Sequence, residues 1–447
     1  MAAAAGKRTT RWYHVAPREE RRATVRRWVP SRRKAGPTHP AAERICRMES
    51  TSLHTARRMR ALEPSATLAM AARAAALKAA GGDVIDLSVG EPDFPTPEHI
   101  CRAAEEAIRG GKTKYTPAAG IPQLRQAVAD DYTRRTGLAV SPGQVVISNG
   151  AKHSLHNVFT AVLDEGDEVI VPTPYWVSYA ELIKLAGAKP VLLETRIEDD
   201  FKLRPEALRA AVTPRTRMLL LCSPSNPTGV VYTPDELGAL ADIAIEHDLA
   251  VVSDEIYDQL VYDGRESVSF PTLRPDLADR TVVVAGVSKT YSMTGWRIGW
   301  TIAPEPLSKA MGNLQSQETS NPCSVSQYAA VAALTGPQEC VARMLAAFEQ
   351  RRDLVAARLR ALPGVRIPEI GGAFYAFFDI REPLTRMKAS GIETSLQWCE
   401  ALLERQQVAL VAGSAFGVEG HVRMSFAASE ATLASGLDRI AAFLQTG

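Results

Sequence analysis

Five apolar runs in this sequence end in residues with chemistry of their own. VVIS leads into Asn149-Gly150-Ala151-Lys152 and VIVPTP into Tyr175-Trp176. MLLLCSP leads into Ser225-Asn226-Pro227-Thr228-Gly229, AVVSDE carries Asp254 and Glu255 and runs on to Ile256-Tyr257, and TVVVAGV leads into Ser288-Lys289. A lysine closing a fully buried strand loses hydration unless something compensates. It either snorkels its ammonium to solvent or, with its pKa lowered by desolvation, serves as an amine nucleophile. Singly, the others have structural explanations: Asn226 as a turn residue, Trp176 as packing, Asp254 as a helix cap. Anion-binding amides, an indole, a carboxamide, a carboxylate, a phenol and an amine on one rim are hard to assign to structure alone.

The elements that must carry these residues alternate. QVVISNG, DEVIVPTP, KPVLLE, RMLLLCSP, LAVVSDE and TVVVAGV read as strands. AKHSLHNVFTAVL, WVSYAELIKLAG and PDELGALADIAIEHD read as helices between them. Apolar strands alternating with amphipathic helices predict an α/β fold with a parallel sheet covered on both faces. In such sheets ligands bind beyond the carboxyl ends of the strands. Upstream, ATLAMAARAAALKAAG predicts a helix ended by Gly81-Gly82, and Pro122 falls in the first turn of another. Residues 305–360 read as mostly helical. GAFYAFFDI, VALVAG and HVRMSFA add strands to a smaller α+β domain. The expected division is 1–50 as a basic extension, 51–97 as an N-terminal segment and part of the small domain, 98–335 as the large domain and 336–447 as the C-terminal small domain.

The set on the rim matches the needs of an aromatic phosphate cofactor bearing an aldehyde. A lysine forms the Schiff base, a carboxylate keeps the pyridine nitrogen protonated, and a helix N-terminus receives the phosphate. The motifs SPSNPTG (223–229), SDEIY (253–257) and SKTYSMTGWRIG (288–299) resemble those of fold-type I pyridoxal-phosphate-dependent class-I aminotransferases. EPSAT, GEPDF, GKTKYTPAAGIPQLR, PYWVSY and GHVRMSFAASE resemble the bacterial-type aspartate aminotransferase subgroup, and the likeness runs from about Ala56 to the C-terminus. The resemblance implies a large domain built on a mostly parallel seven-stranded sheet sandwiched by helices, with a smaller α+β domain.

It also implies roles. Lys289 is the Schiff-base lysine and, once freed, the proton carrier at the substrate Cα. Asp254 pairs with the pyridinium nitrogen. Asn226 and Tyr257 bond the ring 3-oxygen, and Trp176 stacks on the ring. Ser288, Arg297 and the amides of Gly150 and Ala151 hold the phosphate. Tyr115 reaches a neighbouring subunit's phosphate, which implies a homodimer with shared sites. Arg423 clamps the substrate α-carboxylate bidentately, with Trp176 and Asn226 also beside the substrate, and Gly90 belongs to a segment that closes over it. Lys152, a cation in a first helical turn where the macrodipole disfavours it, is the expected partner of a second carboxylate. Ser65 and Thr67 line the same pocket. His153 and His156 are expected to be ordinary helix residues.

The implied reaction is ping-pong transfer of the amino group between L-aspartate or glutamate and 2-oxoglutarate or oxaloacetate. Members that also use prephenate often carry a lysine where this chain has Glu63, so weak or absent prephenate turnover is expected. Rival readings are an aminotransferase for a neutral or aromatic amino acid, a pyridoxal-phosphate-dependent lyase, and a transcription regulator fused to an aminotransferase-like domain. The last lacks a helix-turn-helix pattern.

Bulk composition agrees with a globular chain. The 447 residues are 46% hydrophobic and 23% charged, with a net charge of +2, which predicts no bulk attraction to nucleic acid or membrane. No apolar run is long enough to span a membrane. Six scattered cysteines without a C-x-x-C suit a reducing compartment and predict no metal site. Residues 1–48 hold thirteen Lys/Arg against three Asp/Glu and read as disordered. This segment is open to three readings: a stretch upstream of the true start at Met48 or Met59, an organelle transit peptide, or a basic arm. The expected location is cytoplasmic unless the transit reading holds.

Overall fold

The computed structural model describes residues 55–445. The basic extension expected over residues 1–50 lies outside them.

Twelve strands are described: β1 (Ile85–Asp86), β2 (Val145–Ser148), β3 (Glu168–Thr173), β4 (Lys189–Glu194), β5 (Thr216–Cys222), β6 (Ala250–Asp254), β7 (Thr281–Gly286), β8 (Gly299–Ile302), β9 (Tyr375–Asp379), β10 (Val408–Ala409), β11 (Val411–Ala412) and β12 (His421–Ser425). Seven form one sheet in the order β2-β8-β7-β6-β5-β3-β4. β7, β6, β5, β3 and β4 are mutually parallel. β8 runs antiparallel to both β2 and β7.

The inner strands are rich in valine and leucine because both of their faces are covered. Alternation along β7 shows it: Val282 and Val284 pack with the helices Ala151–Val162 and Ser178–Leu185, whereas Val283 and Ala285 pack on the other side with the helices Pro122–Thr136 and Ser324–Thr335. The edge strand β4 has three exposed positions and keeps the rest half-buried. All six strands expected for this sheet are present. The seventh, β8, was not read from the sequence: GWTI is four residues long and starts on a glycine. That glycine is required by packing, since a Cβ on Gly299 would lie 2.3 Å from the Ala151 amide nitrogen.

A second sheet, β11-β12-β9, is antiparallel, and β1 pairs with β10 in parallel. The run VALVAG is therefore two short strands in two sheets, divided at Leu410. A separate apolar core, including Phe374, Phe378 and Trp398, packs these strands against the helices Glu339–Arg360, Ser395–Gln406 and Glu430–Gln445. The helix Ala66–Ala79 is capped by Ser65, whose hydroxyl accepts the Leu68 amide at 3.4 Å, and the chain beyond it turns at Gly81 with φ +94°. Among the described residues no helix is long and apolar enough to cross a membrane.

Candidate active site

The strand ends converge on one cavity of about 310 Å³. Of the residues named from sequence, Gly90, Ala151, Lys152, Trp176, Asn226, Asp254, Tyr257, Ser288, Lys289, Arg297 and Arg423 line it, as do Ser65 and Thr67. Gly150 stands just behind the wall: a Cβ there would lie 2.4 Å from Arg297 Nη2. Tyr115 is not brought to this cavity. It is 91% exposed on the surface.

Lys289 follows β7 and donates from Nζ to the Gly90 carbonyl at 2.6 Å. Its ammonium lies 5.7 Å from the Phe374 ring centroid. Burial pulls its pKa down to about 8. Glu91 and Asp254 oppose that shift, and Arg423 and Arg297 add to it. The lysine therefore does not snorkel free of the protein.

Asp254 ends β6 and is 3% exposed. Tyr179 Oη donates to its Oδ2 at 2.6 Å and the Ile256 amide to its Oδ1 at 3.2 Å. Burial raises its pKa to about 6, even though those two hydrogen bonds and Lys289 favour the ion. A carboxyl group so placed gains from a cationic partner inside the cavity. Tyr179 stands in the first turn of the helix Ser178–Leu185 and meets the ring of Trp176, just before that helix, edge to face with centroids 5.4 Å apart.

Gly150 has φ +84° and opens the helix Ala151–Val162 with no side-chain cap. Its amide end and Arg297 face the same space, an anion-receiving arrangement. Arg297 has φ +58° and donates from Nη1 to the Thr294 carbonyl at 2.8 Å. The neighbouring Lys152 has its ammonium 4.9 Å from the Trp176 ring centroid, and burial followed by the Arg297 charge lowers its pKa.

Arg423 projects from β12 and is 2% exposed. Nη1 donates to Asn226 Oδ1 at 3.0 Å and Nη2 to the Ser88 carbonyl at 2.6 Å. Its Nε is buried with no partner, and no carboxylate stands within ion-pair distance of the guanidinium among the described residues. Its Cζ lies over the rings of Tyr375 and Phe416, 4.6 and 4.8 Å from their centroids. A buried, unneutralised cation is costly to keep. Such a guanidinium gains from an anion brought into the cavity.

Sequence reasoning missed two tyrosines. Tyr179, in the first turn of the helix Ser178–Leu185, reaches Asp254 across 75 positions of sequence, and no local pattern marks that contact. Tyr375, on β9, lines the cavity and shares a hydrogen bond of 2.9 Å with Tyr257; only cross-strand register could have placed it. His153 and His156 do not line the cavity. They face Glu318, at 3.6 and 3.0 Å. Glu63 lines an adjoining groove with Glu181 and Lys184, which meets the cavity at Ser65, Val177 and Ser178. The Glu63 amide donates to Glu181 Oε2 at 3.0 Å.

The model of the family "Aminotransferase class I and II" matches residues 82–440. An aspartate aminotransferase of Geobacillus stearothermophilus is 48% identical over 390 residues, 87% of this chain and 98% of the relative. An aspartate/prephenate aminotransferase of Nitrosomonas europaea is 45% identical over 391 residues, again 87% and 98%. Among solved structures, the aspartate aminotransferase of Rhizobium meliloti superposes with a TM-score of 0.82 at 43% identity, covering 88% of this chain and 99% of that one. That of Thermus thermophilus, solved with maleate, gives 0.82 at 43% identity over 87% and 99%.

Proposed function

This chain belongs to the class I and II aminotransferases, and from that premise we propose that it moves the amino group between L-aspartate or L-glutamate and 2-oxoglutarate or oxaloacetate, with pyridoxal 5′-phosphate as cofactor. The observation that carries the reading is Arg423: a buried guanidinium with an orphan Nε, in the same cavity as a buried lysine amine and a buried carboxyl group.

The residues suit the cofactor. The uncapped amide end at Gly150 and Ala151, with Ser288 and Arg297, suits a phosphate. Asp254 suits a pyridinium nitrogen, Trp176 a ring face, and Asn226 and Tyr257 a ring oxygen. Pyridoxal phosphate, when bound, supplies an aldehyde that condenses with an amine and a ring that withdraws electrons from the bonds at Cα.

The protein's own part is binding and proton handling. Arg423 takes the α-carboxylate, held flat by its two aromatic neighbours and keyed by Asn226. Lys152 takes a second carboxylate, which selects a dicarboxylic donor. The maleate in the Thermus thermophilus structure is such a dicarboxylate. Lys289 is the amine the cofactor attaches to and, when free, holds the proton moved at Cα; a pKa near 8 leaves it able to take that proton and return it. The Glu63 carboxylate beyond Ser65 disfavours a longer dicarboxylate, so prephenate turnover is slow; equal turnover of prephenate and aspartate would remove this part of the reading. The working form is a homodimer in the cytoplasm, in which Tyr115 completes a neighbouring subunit's phosphate site.

The test is a half-reaction. One amino acid at a time is added to the cofactor-loaded protein without an acceptor, and the cofactor absorbance is followed. A fast change with aspartate and glutamate, and a slow one with alanine and phenylalanine, is expected. A change with neutral donors alone overturns the substrate assignment.

A further inference from the structure

We infer that Tyr375 is a positioning residue that acts through two different neighbours: its hydroxyl fixes the hydroxyl of Tyr257, and its ring fixes the guanidinium plane of Arg423. The inference rests on the reading of the cavity given above and adds a residue that no motif in the sequence marked.

The geometry is specific. Tyr375 is 1% exposed and begins β9, and its register partner on β12 is Ser425, two residues from Arg423. Two residues along a strand return to the same face, so the ring and the guanidinium are diagonal neighbours. The ring centroid lies 4.6 Å from Arg423 Cζ, a cation over a π face in a dry setting. The hydroxyl meets Tyr257 Oη at 2.9 Å. It also fills the space beside Gly90, where a Cβ would lie 2.0 Å from it, and the Gly90 carbonyl is the acceptor for Lys289. One side chain therefore touches the ring-oxygen donor, the carboxylate clamp and the segment that holds the lysine.

The direction of the hydroxyl pair follows from what Tyr257 must do. If Tyr257 is to donate to a ring oxygen on the cofactor, its own hydrogen points into the cavity. It then accepts from Tyr375. Accepting one hydrogen bond makes a hydroxyl a better donor of the next. Tyr375 thus favours the deprotonated form of the cofactor chromophore, at one remove.

Two substitutions separate the two contacts. Tyr375→Phe keeps the ring under Arg423 and removes the hydroxyl. The pH midpoint of the resting cofactor absorbance should rise by about half a unit, with KM for aspartate within about twofold of the parent. Tyr375→Leu removes the ring as well. KM should then rise about tenfold for aspartate and alanine alike, because both present the same α-carboxylate. Thermal melting checks that each variant is folded. An unchanged midpoint in Tyr375→Phe, or an unchanged KM in a folded Tyr375→Leu, overturns the corresponding half. A parent protein that acquires no cofactor band at all overturns the reading of the cavity and this inference with it, whereas a normal band with unmoved variants overturns the inference alone.

Discussion

Replacing Arg423 by lysine keeps the charge and removes the shape. The guanidinium spends Nη1 on Asn226 and Nη2 on the Ser88 carbonyl, and it retains further N–H groups for an incoming carboxylate. It also packs against two rings at 4.6 and 4.8 Å. An ammonium on a thinner stem satisfies at most part of this set. Loss of one charge-assisted hydrogen bond to the substrate costs about 1.5–3 kcal/mol. Poorer cation–π contact costs about 0.5–1 kcal/mol more. The sum, about 2–4 kcal/mol, corresponds to a loss of roughly thirty- to seven-hundred-fold in kcat/KM. The assay is the half-reaction with aspartate, glutamate and alanine in turn. All three must lose by a similar factor, since all three carry the α-carboxylate, and the resting cofactor band must stay in place. A loss confined to the dicarboxylic donors would refute the assignment of Arg423 and move it to the second carboxylate.

Lys152→Ala should show that complementary pattern: KM for aspartate rises about ten- to a hundredfold while alanine stays within about twofold. Asp254→Asn should lower the half-reaction rate by on the order of a hundred- to a thousandfold, measured in single turnover, because the amide cannot stabilise a cationic ring nitrogen. The amine of Lys289 is held at about 8, below the lysine of an unfolded chain, by burial. Its neutral fraction therefore grows as pH rises through 8, and capture of pyridoxal phosphate by the cofactor-free protein should accelerate about tenfold between pH 7 and 9, then level off. The unfolded chain binds the extra proton between pH 8 and the ordinary lysine value, so the cost of burying this amine is full below pH 8 and falls away as pH rises across that window. A capture rate independent of pH from 7 to 10 would show that Lys289 is not the attacking amine.

Much of the site was legible because it is written at strand ends. Asn226, Asp254, Tyr257 and Lys289 each follow a run of valine and leucine that only a buried strand explains, and the parallel sheet then brings those ends to one rim. Arg423 was legible only by resemblance, since HVRMS reads as an ordinary strand with one charge. Tyr375 and Tyr179 were not legible as site residues. The contact of Tyr375 with Tyr257 spans 118 positions and that of Tyr179 with Asp254 spans 75. Local pattern carries no information at that range. β8 escaped for the opposite reason: it is short and glycine-led, and its pairing with β2 and β7 stabilises what propensity alone does not.

The antiparallel pairing of β7 and β8, with Gly286 opposite Gly299, makes Lys289 and Arg297 two points on one loop of chain. Lys289 and Arg297 are therefore spaced by a single excursion from the sheet and inherited together. The groups proposed to read the donor lie elsewhere, Lys152 on a helix opening and Arg423 on a strand of another sheet. On that reading a new donor preference can be reached by changing Lys152 while the excursion between β7 and β8 is left untouched, and an insertion within that excursion should displace the amine and the arginine together.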